Sequence, residues 1–379
     1  MSIKHLFPLT IVSLLACGGG GGGATIANGT LSLKLGSDST SSYSKVYASL
    51  QKVEYKSSGT STWSTLAEVE TTYDLLALQN GNSATLASAT SLKPGTYSFR
   101  LTWAGENYAY PSKYPGFLQR ADNSTEYRMT LPTTTSVSGT VDVAEGSLTT
   151  AEILFSGNQI AQKHASLSVP YTFQATAQVL DLANCARILG QATSGSTPLE
   201  GAEVFAETVD GSGLATVQRR ALTDSNGQFV MEGLPIGKIY YLASQPGTAT
   251  LAYGAVSTSP ITASSATDFS ANLSFTSSMA PGSLDVSVTP ISTSSQGTWV
   301  ELRETLATAT GVYKTLVVRS QTVDTETAKD TTSFTGLLPS TYGIMVQRST
   351  SGGDASASTG NEELVETGAT TTAVVAYTD

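Results

Sequence analysis

The feature that most limits what this chain can fold into is a recurring stretch: a turn built on Pro or Gly, followed by a strand that alternates apolar and polar residues from an aromatic start. It is clearest from Thr223 to Tyr241, TDSNGQFVMEGLPIGKIYY. Asp224, Asn226 and Gly227 suit a tight turn, because Asp and Asn hydrogen-bond their own backbone and Gly tolerates positive φ. Phe229 and Met231 then share a face between Gln228 and Glu232, the period-2 pattern of a half-buried strand. Pro235 and Gly237 punctuate again, and Ile239, Tyr241 and Ala243 are expected to point to one face. The stretch reads as a β-arch, and weaker copies occur at Leu92–Leu101 and Leu338–Val346, where Ser340 replaces the arch glycine.

Three arches in 379 residues imply several modules, each large enough to bury its own core. Short β-type runs alternate with turn signals throughout, and only 13% of residues are charged. That combination predicts an all-β protein of tandem β-sandwich domains of the transthyretin-like or Ig-like kind. Acidic residues outnumber basic ones, 30 to 20, and no basic stripe is present, which argues against a nucleic-acid partner.

The start of the chain carries an address. Lys4 supplies a positive charge, Leu6–Leu15 a short apolar run, and Leu14-Leu15-Ala16-Cys17 closes it; the run is too short for a stable transmembrane helix. This L-L-A-C resembles the lipobox of bacterial lipoproteins. The resemblance implies a signal peptide over 1–16, a diacylglycerol on the Cys17 thiol, and a palmitate-type acyl chain on its amine. Gly18–Gly23 would then form a flexible tether within residues 17–27, and Gly after the Cys is compatible with export to the outer membrane. Cys185 is left without a disulfide partner and reads as a small buried hydrophobe.

A second resemblance rests on the G-x-L-x-L opening at Gly29, the Tyr43–Tyr55 strand, Trp63, Tyr73-Asp74-Leu75-Leu76-Ala77-Leu78 and the L-K-P-G-T-Y-S-F-R-L arch. Together they resemble a bacterial lipoprotein domain of unknown function, thought to be a β-sandwich, which names a module without an activity. A third rests on T-P-L-E-G-A-E-V-F-A from Thr197, the turn at Thr223, G-L-P-I-G at Gly233 and Q-P-G at Gln245. These resemble the carboxypeptidase regulatory-like domain, a transthyretin-like, carbohydrate-binding-like sandwich that is not itself catalytic. Ile239 stands where that family usually has a core Tyr. The expected domains are 28–186, 187–279 and 280–379. Residues 133–186 admit two readings, short strands or, over Ile153–Lys163, one or two helical turns.

Candidate sites are few. Trp103, Tyr108, Tyr110, Tyr114 and Phe117 crowd into one Pro-stiffened segment, and such rings could stack on a sugar or cap their own sandwich. His164 is the one histidine downstream of the lipobox; without a G-x-S-x-G elbow it reads as a surface residue rather than a catalytic base. One His and one thiol cannot supply a zinc site. Asp224-Ser225-Asn226-Gly227 lacks the later bidentate Glu of a calcium loop and reads as a turn. Lys34, the nearest candidate for an internal isopeptide bond, is expected on a solvent face, so no such bond is predicted. No cofactor or metal is expected. The chain therefore reads as a non-catalytic, lipid-anchored envelope protein acting as a stalk, adhesive or binding module. Its partners would be the membrane through Cys17 and a surface polysaccharide or envelope protein. The alternatives are carbohydrate binding through 103–117 or the middle-domain loops, and an unrecognised hydrolase.

Overall fold

A computed structural model describes residues 27–105, 114–156, 160–174, 176–276, 278–293, 297–326, 329–350 and 353–376. The chain is all-β, a series of β-sandwiches, with short 3-10 turns at Leu75–Leu78 and Leu182–Asn184. Among the described residues no helix is long and apolar enough to cross a membrane.

One strand arrangement is built three times. In each unit the opening strand lies between the strand that precedes the arch, antiparallel to it, and a late strand running parallel to it. Gly29–Ser37 lies between Ala84–Leu92 and Leu148–Phe155. Cys185–Ser194 lies between Gln228–Pro235 and the pair Asp268–Ser270 and Leu273–Phe275. Gly282–Thr289 lies between Asp330–Leu337 and Thr370–Ala376. The arch then carries the chain to the facing sheet, where Gly95–Trp103 pairs with Tyr43–Ser57, Lys238–Ser244 with Glu203–Val209, and Ser340–Thr350 with Gly297–Ala309. In the first unit, extra ladders join both faces into one 13-stranded sheet around a single core.

The aromatic of each arch does the same job. The hydroxyls of Tyr97, Tyr240 and Tyr342 donate back across the turn to the carbonyls of Lys93 at 2.6 Å, Pro235 at 2.7 Å and Leu338 at 2.7 Å. A ring buried in the sandwich thus keeps its polar tip satisfied by the turn it follows. Leu31, Leu33 and Leu35, with Val46, Ala48 and Leu50, fill the first core; Leu284, Val286 and Val288, with Ile344 and Val346, fill the third.

The middle arch departs from the expected register. Ile239 is 49% exposed, while Tyr240 and Leu242 are fully buried in the middle core. Two residues, not one, separate Gly237 from the aromatic, so every side chain moves to the opposite face. Tyr240, not Ile239, fills the core position, and Tyr241 and Ala243 pack instead against the third core, which also takes in Ala215. Within Ile153–Lys163 the described residues hold two pieces of strand, to Phe155 and over Ala161–Lys163, and no helix.

The units are not strung in line. Arg120 of the first unit meets Asp324 of the third at 3.2 Å, 204 residues away. Gln162 is fully buried and reaches into the third unit. Its carbonyl accepts from the Thr298 N–H at 2.9 Å, and its amide donates to Ser292 and Thr325 at 3.3 and 3.4 Å. The middle unit touches both others, with Gly247 and Gly336 backbone to backbone, so closely that a Cβ on either would collide with the other.

Candidate functional site

Cys17, Tyr108 and Tyr110 lie outside the described residues. Trp103 does not offer a free ring. It is 2% exposed, wedged among Phe155 and Phe173 with centroids at 5.9 and 5.1 Å, and its indole N–H donates to Thr135 at 2.8 Å. Its place in the strict alternation Tyr97, Phe99, Leu101, Trp103 already put it on the inward face. Phe117 is half-buried and stacks on Tyr47 at 4.4 Å, and Tyr114 is half-buried beneath Arg128 at 5.2 Å. The described rings of the aromatic segment pack on their own unit.

His164 is buried, not at the surface. It sits where the first unit meets the third: its own N–H donates to Pro170, and the next N–H, of Ala165, donates to the Thr325 carbonyl. Its Nε2 has no hydrogen-bond partner among the described residues, and burial lowers its pKa, with Asp330 and Asp324 opposing. Lys34 is half-buried beside its ladder partner Glu152 rather than facing open solvent. Cys185 is buried, and desolvation pushes its thiol up to about 11. In the Asp224 turn, the carboxylate accepts from the N–H groups of Asn226 and Gln228, both at 2.8 Å, so it closes a turn. Among the described residues no group of three or more His, Cys, Asp and Glu is placed to hold a metal.

The charged residues that the alternation pattern did not single out gather at the contacts between units. Between the first and middle units, Asp38, Arg219 and Arg220 line a polar cavity of about 270 Å³, and Asp38, Glu152 and Arg220 a smaller one of about 20 Å³, room for roughly one water. Burial raises Glu152 to about 7, aided by the Glu232 charge and opposed by Lys34 and Arg219; it raises Asp38 to about 6 against the same two arginines. One oxygen of Glu152 and the Nη2 of Arg220 have no partner among the described residues. Arg219 holds the arch turn itself, donating to the carbonyls of Glu232 and Gly233 at 3.2 and 2.9 Å.

Between the middle and third units, fully buried Glu207 accepts from the Val317 N–H at 2.9 Å, and burial raises its pKa well above the usual range. Arg303 beside it donates to Glu301 at 2.7 Å and to the Ala215 carbonyl at 3.0 Å. Glu203 pairs with Arg220 at 3.3 Å. Within the third unit Arg348 and Asp330 form a buried pair at 3.0 Å. Between first and third units, a hydroxyl-lined cleft of about 420 Å³ is crossed by the Arg120–Asp324 bridge. Among the described residues these clusters pair or desolvate their charges, and none sets a nucleophile beside a base. Their signal in the sequence is slight: charges at Glu203, Glu207, Arg219 and Arg220 inside strands that also carry core residues.

Residues 28–178 match the family described as "Domain of unknown function (DUF4382)". No curated protein matches the chain. Among solved structures, the chain is similar to the Bacillus anthracis TIE protein at 10% identity, covering 92% of this chain and 50% of that one, with a TM-score of 0.21. It is similar to a streptococcal ancillary pilin at 12% identity over 91% and 98%, TM-score 0.22. The shaft pilin SpaA of Lactobacillus rhamnosus GG is 11% identical over 52% and 98%, TM-score 0.20.

Proposed function

We propose that the chain is a non-catalytic, lipid-anchored protein of the bacterial cell envelope, held at the outer membrane through Cys17, whose body is a rigid structural, adhesive or binding module. The observation that carries this reading is where the ionisable side chains go. Asp38, Glu152, Glu207, Arg220 and His164 are buried between units instead of lining an open catalytic cleft, which is how a molecule that must hold its shape uses them. The units are 28–186, 187–279 and 280–379. The likeness of the middle one to carboxypeptidase regulatory-like domains is part of the proposal, supported by its motifs and by an arch that changes sheets. Its partners are the membrane and a surface polysaccharide or envelope protein, not nucleic acid. Carbohydrate binding through the aromatic segment is disfavoured by the burial of Trp103, and a hydrolase by the burial of His164.

The anchor is tested by fractionation and metabolic lipid labelling of the full chain. Wild type is expected in the membrane fraction carrying label, and Cys17→Ser in the soluble fraction without it. A Cys17→Ser chain that still carries lipid contradicts the reading.

A further inference from the structure

At the end of the first unit where the chain enters, an open cleft of about 400 Å³ is lined by Asn28, Tyr55, Lys56, Thr60, Ser91 and Lys93. Trp63 stands between the lining residues Thr62 and Ser64, with Lys56 Nζ 4.9 Å and the Arg100 guanidinium 4.7 Å from its ring centre. The carboxylates of this region already have donors. Glu54 takes Arg100, Thr102 and Lys52, which pull its pKa down to about 2; Asp142 takes the Thr96 hydroxyl, and Glu145 the Ala27 N–H. Lys56 and Lys93 form no salt bridge among the described residues, so the cleft is locally cationic in a chain of net charge −10.

We propose that this cleft docks the phosphate headgroup of an anionic phospholipid and seats the first unit on the membrane surface. Two lysines without a carboxylate partner among the described residues, Lys56 resting on the Trp63 ring, with the Ser91 hydroxyl and the amphipathic rings of Trp63 and Tyr55, are the set that suits a lipid–water interface. The length of chain before the cleft fits the same occupant. Cys17 and Asn28 are 11 residue steps apart in sequence, a length of chain that would reach at most about 40 Å fully extended and about 20 Å on average if as flexible as a Gly-rich linker. A lipid on Cys17 therefore keeps the cleft beside the bilayer. The proposal rests on the anchored reading for its geometry, yet it is testable without the anchor.

The test is co-sedimentation of the full chain carrying Cys17→Ser with vesicles of phosphatidylcholine alone or mixed with phosphatidylglycerol, at low and high salt. Binding is expected to the mixed vesicles only and to fade with salt. At about 1 kcal/mol per surface lysine, Lys56→Ala with Lys93→Ala should weaken it about 30-fold. The pair Lys314→Ala and Lys329→Ala, in the third unit, should leave it unchanged. Both lysines of the cleft reach solvent, so the thermal midpoint should not move. Equal binding to neutral vesicles, no binding, equal loss in both double variants, or saturation by inorganic phosphate in place of vesicles would overturn the proposal. A failed anchor shows separately, as a wild-type chain without lipid, and leaves this assay intact.

Discussion

Glu152 shows how much a single residue reveals about this molecule. In the strand Leu148–Phe155 it stands opposite Lys34, in a position that a strand-by-strand reading leaves half in water. The middle unit covers it, leaving it 1% exposed among Glu232, Lys34, Arg219 and Asp38, and its pKa rises from 4.5 to about 7. A carboxyl whose folded pKa is raised holds its proton better folded than unfolded, so its favourable contribution is complete below about pH 4.5 and is lost as pH rises toward 7. The shift corresponds to about 3 kcal/mol. Glu152→Gln keeps the neutral form at every pH. Its thermal midpoint should therefore exceed that of wild type at pH 8 and approach it at pH 5; a variant less stable than wild type at pH 8 would refute the account of this site. None of this was legible in the sequence, because the partner that desolvates Glu152 lies in another unit, and alternation reports only which face of a strand is covered by its own sheet.

At the scale of elements, the arches were the most legible part of the chain, since turn chemistry is local. Gly227 illustrates it: with φ at +70° it takes the left-handed conformation, and a Cβ there would strike the Ala192 carbonyl. The register after the turn was less legible. In the first and third arches the aromatic follows the turn at Gly95–Tyr97 and Ser340–Tyr342, whereas the middle one has an additional residue, which moves Ile239 out and Tyr240 in. The side-chain spacing alone did not reveal the slip; the hydroxyl that each arch tyrosine returns to its turn does. Tyr240→Phe removes that bond while preserving the ring and leaves the half-buried Pro235 carbonyl short of a donor, so it should cost about 1 kcal/mol in chemical denaturation. Ile239→Ala, at a half-exposed position, should cost less than that. A reversed order would mean that Ile239 is the core residue after all.

At the scale of the whole molecule, three sandwiches of one topology are not free beads on a string. The first meets the third through Gln162, His164 and Arg120, and the third shares its core with Ala215 and Ala243 of the middle one. From sequence the expectation is sandwiches in tandem acting as a stalk, adhesive or binding module, and nothing in the order of motifs shows that residues around 120 and 163 return to residues around 324. The polar character of these contacts lets each unit keep its joint faces solvated until docking satisfies them. Hydrogen-bonded groups such as Gln162 then fix one arrangement, since a misplaced unit would leave them unpaired.

The closed arrangement is the central claim, and Lys163 and Glu326 test it most directly. Their Nζ and Oε1 atoms lie 2.6 Å apart, and both side chains are partly exposed, at 27% and 42%. Zero-length carbodiimide coupling of the monomeric protein, read by peptide mass spectrometry, should yield an amide between Lys163 and Glu326, absent in Lys163→Arg. Monomer that couples elsewhere but never joins residue 163 to 326 would contradict a body in which the first and third units meet.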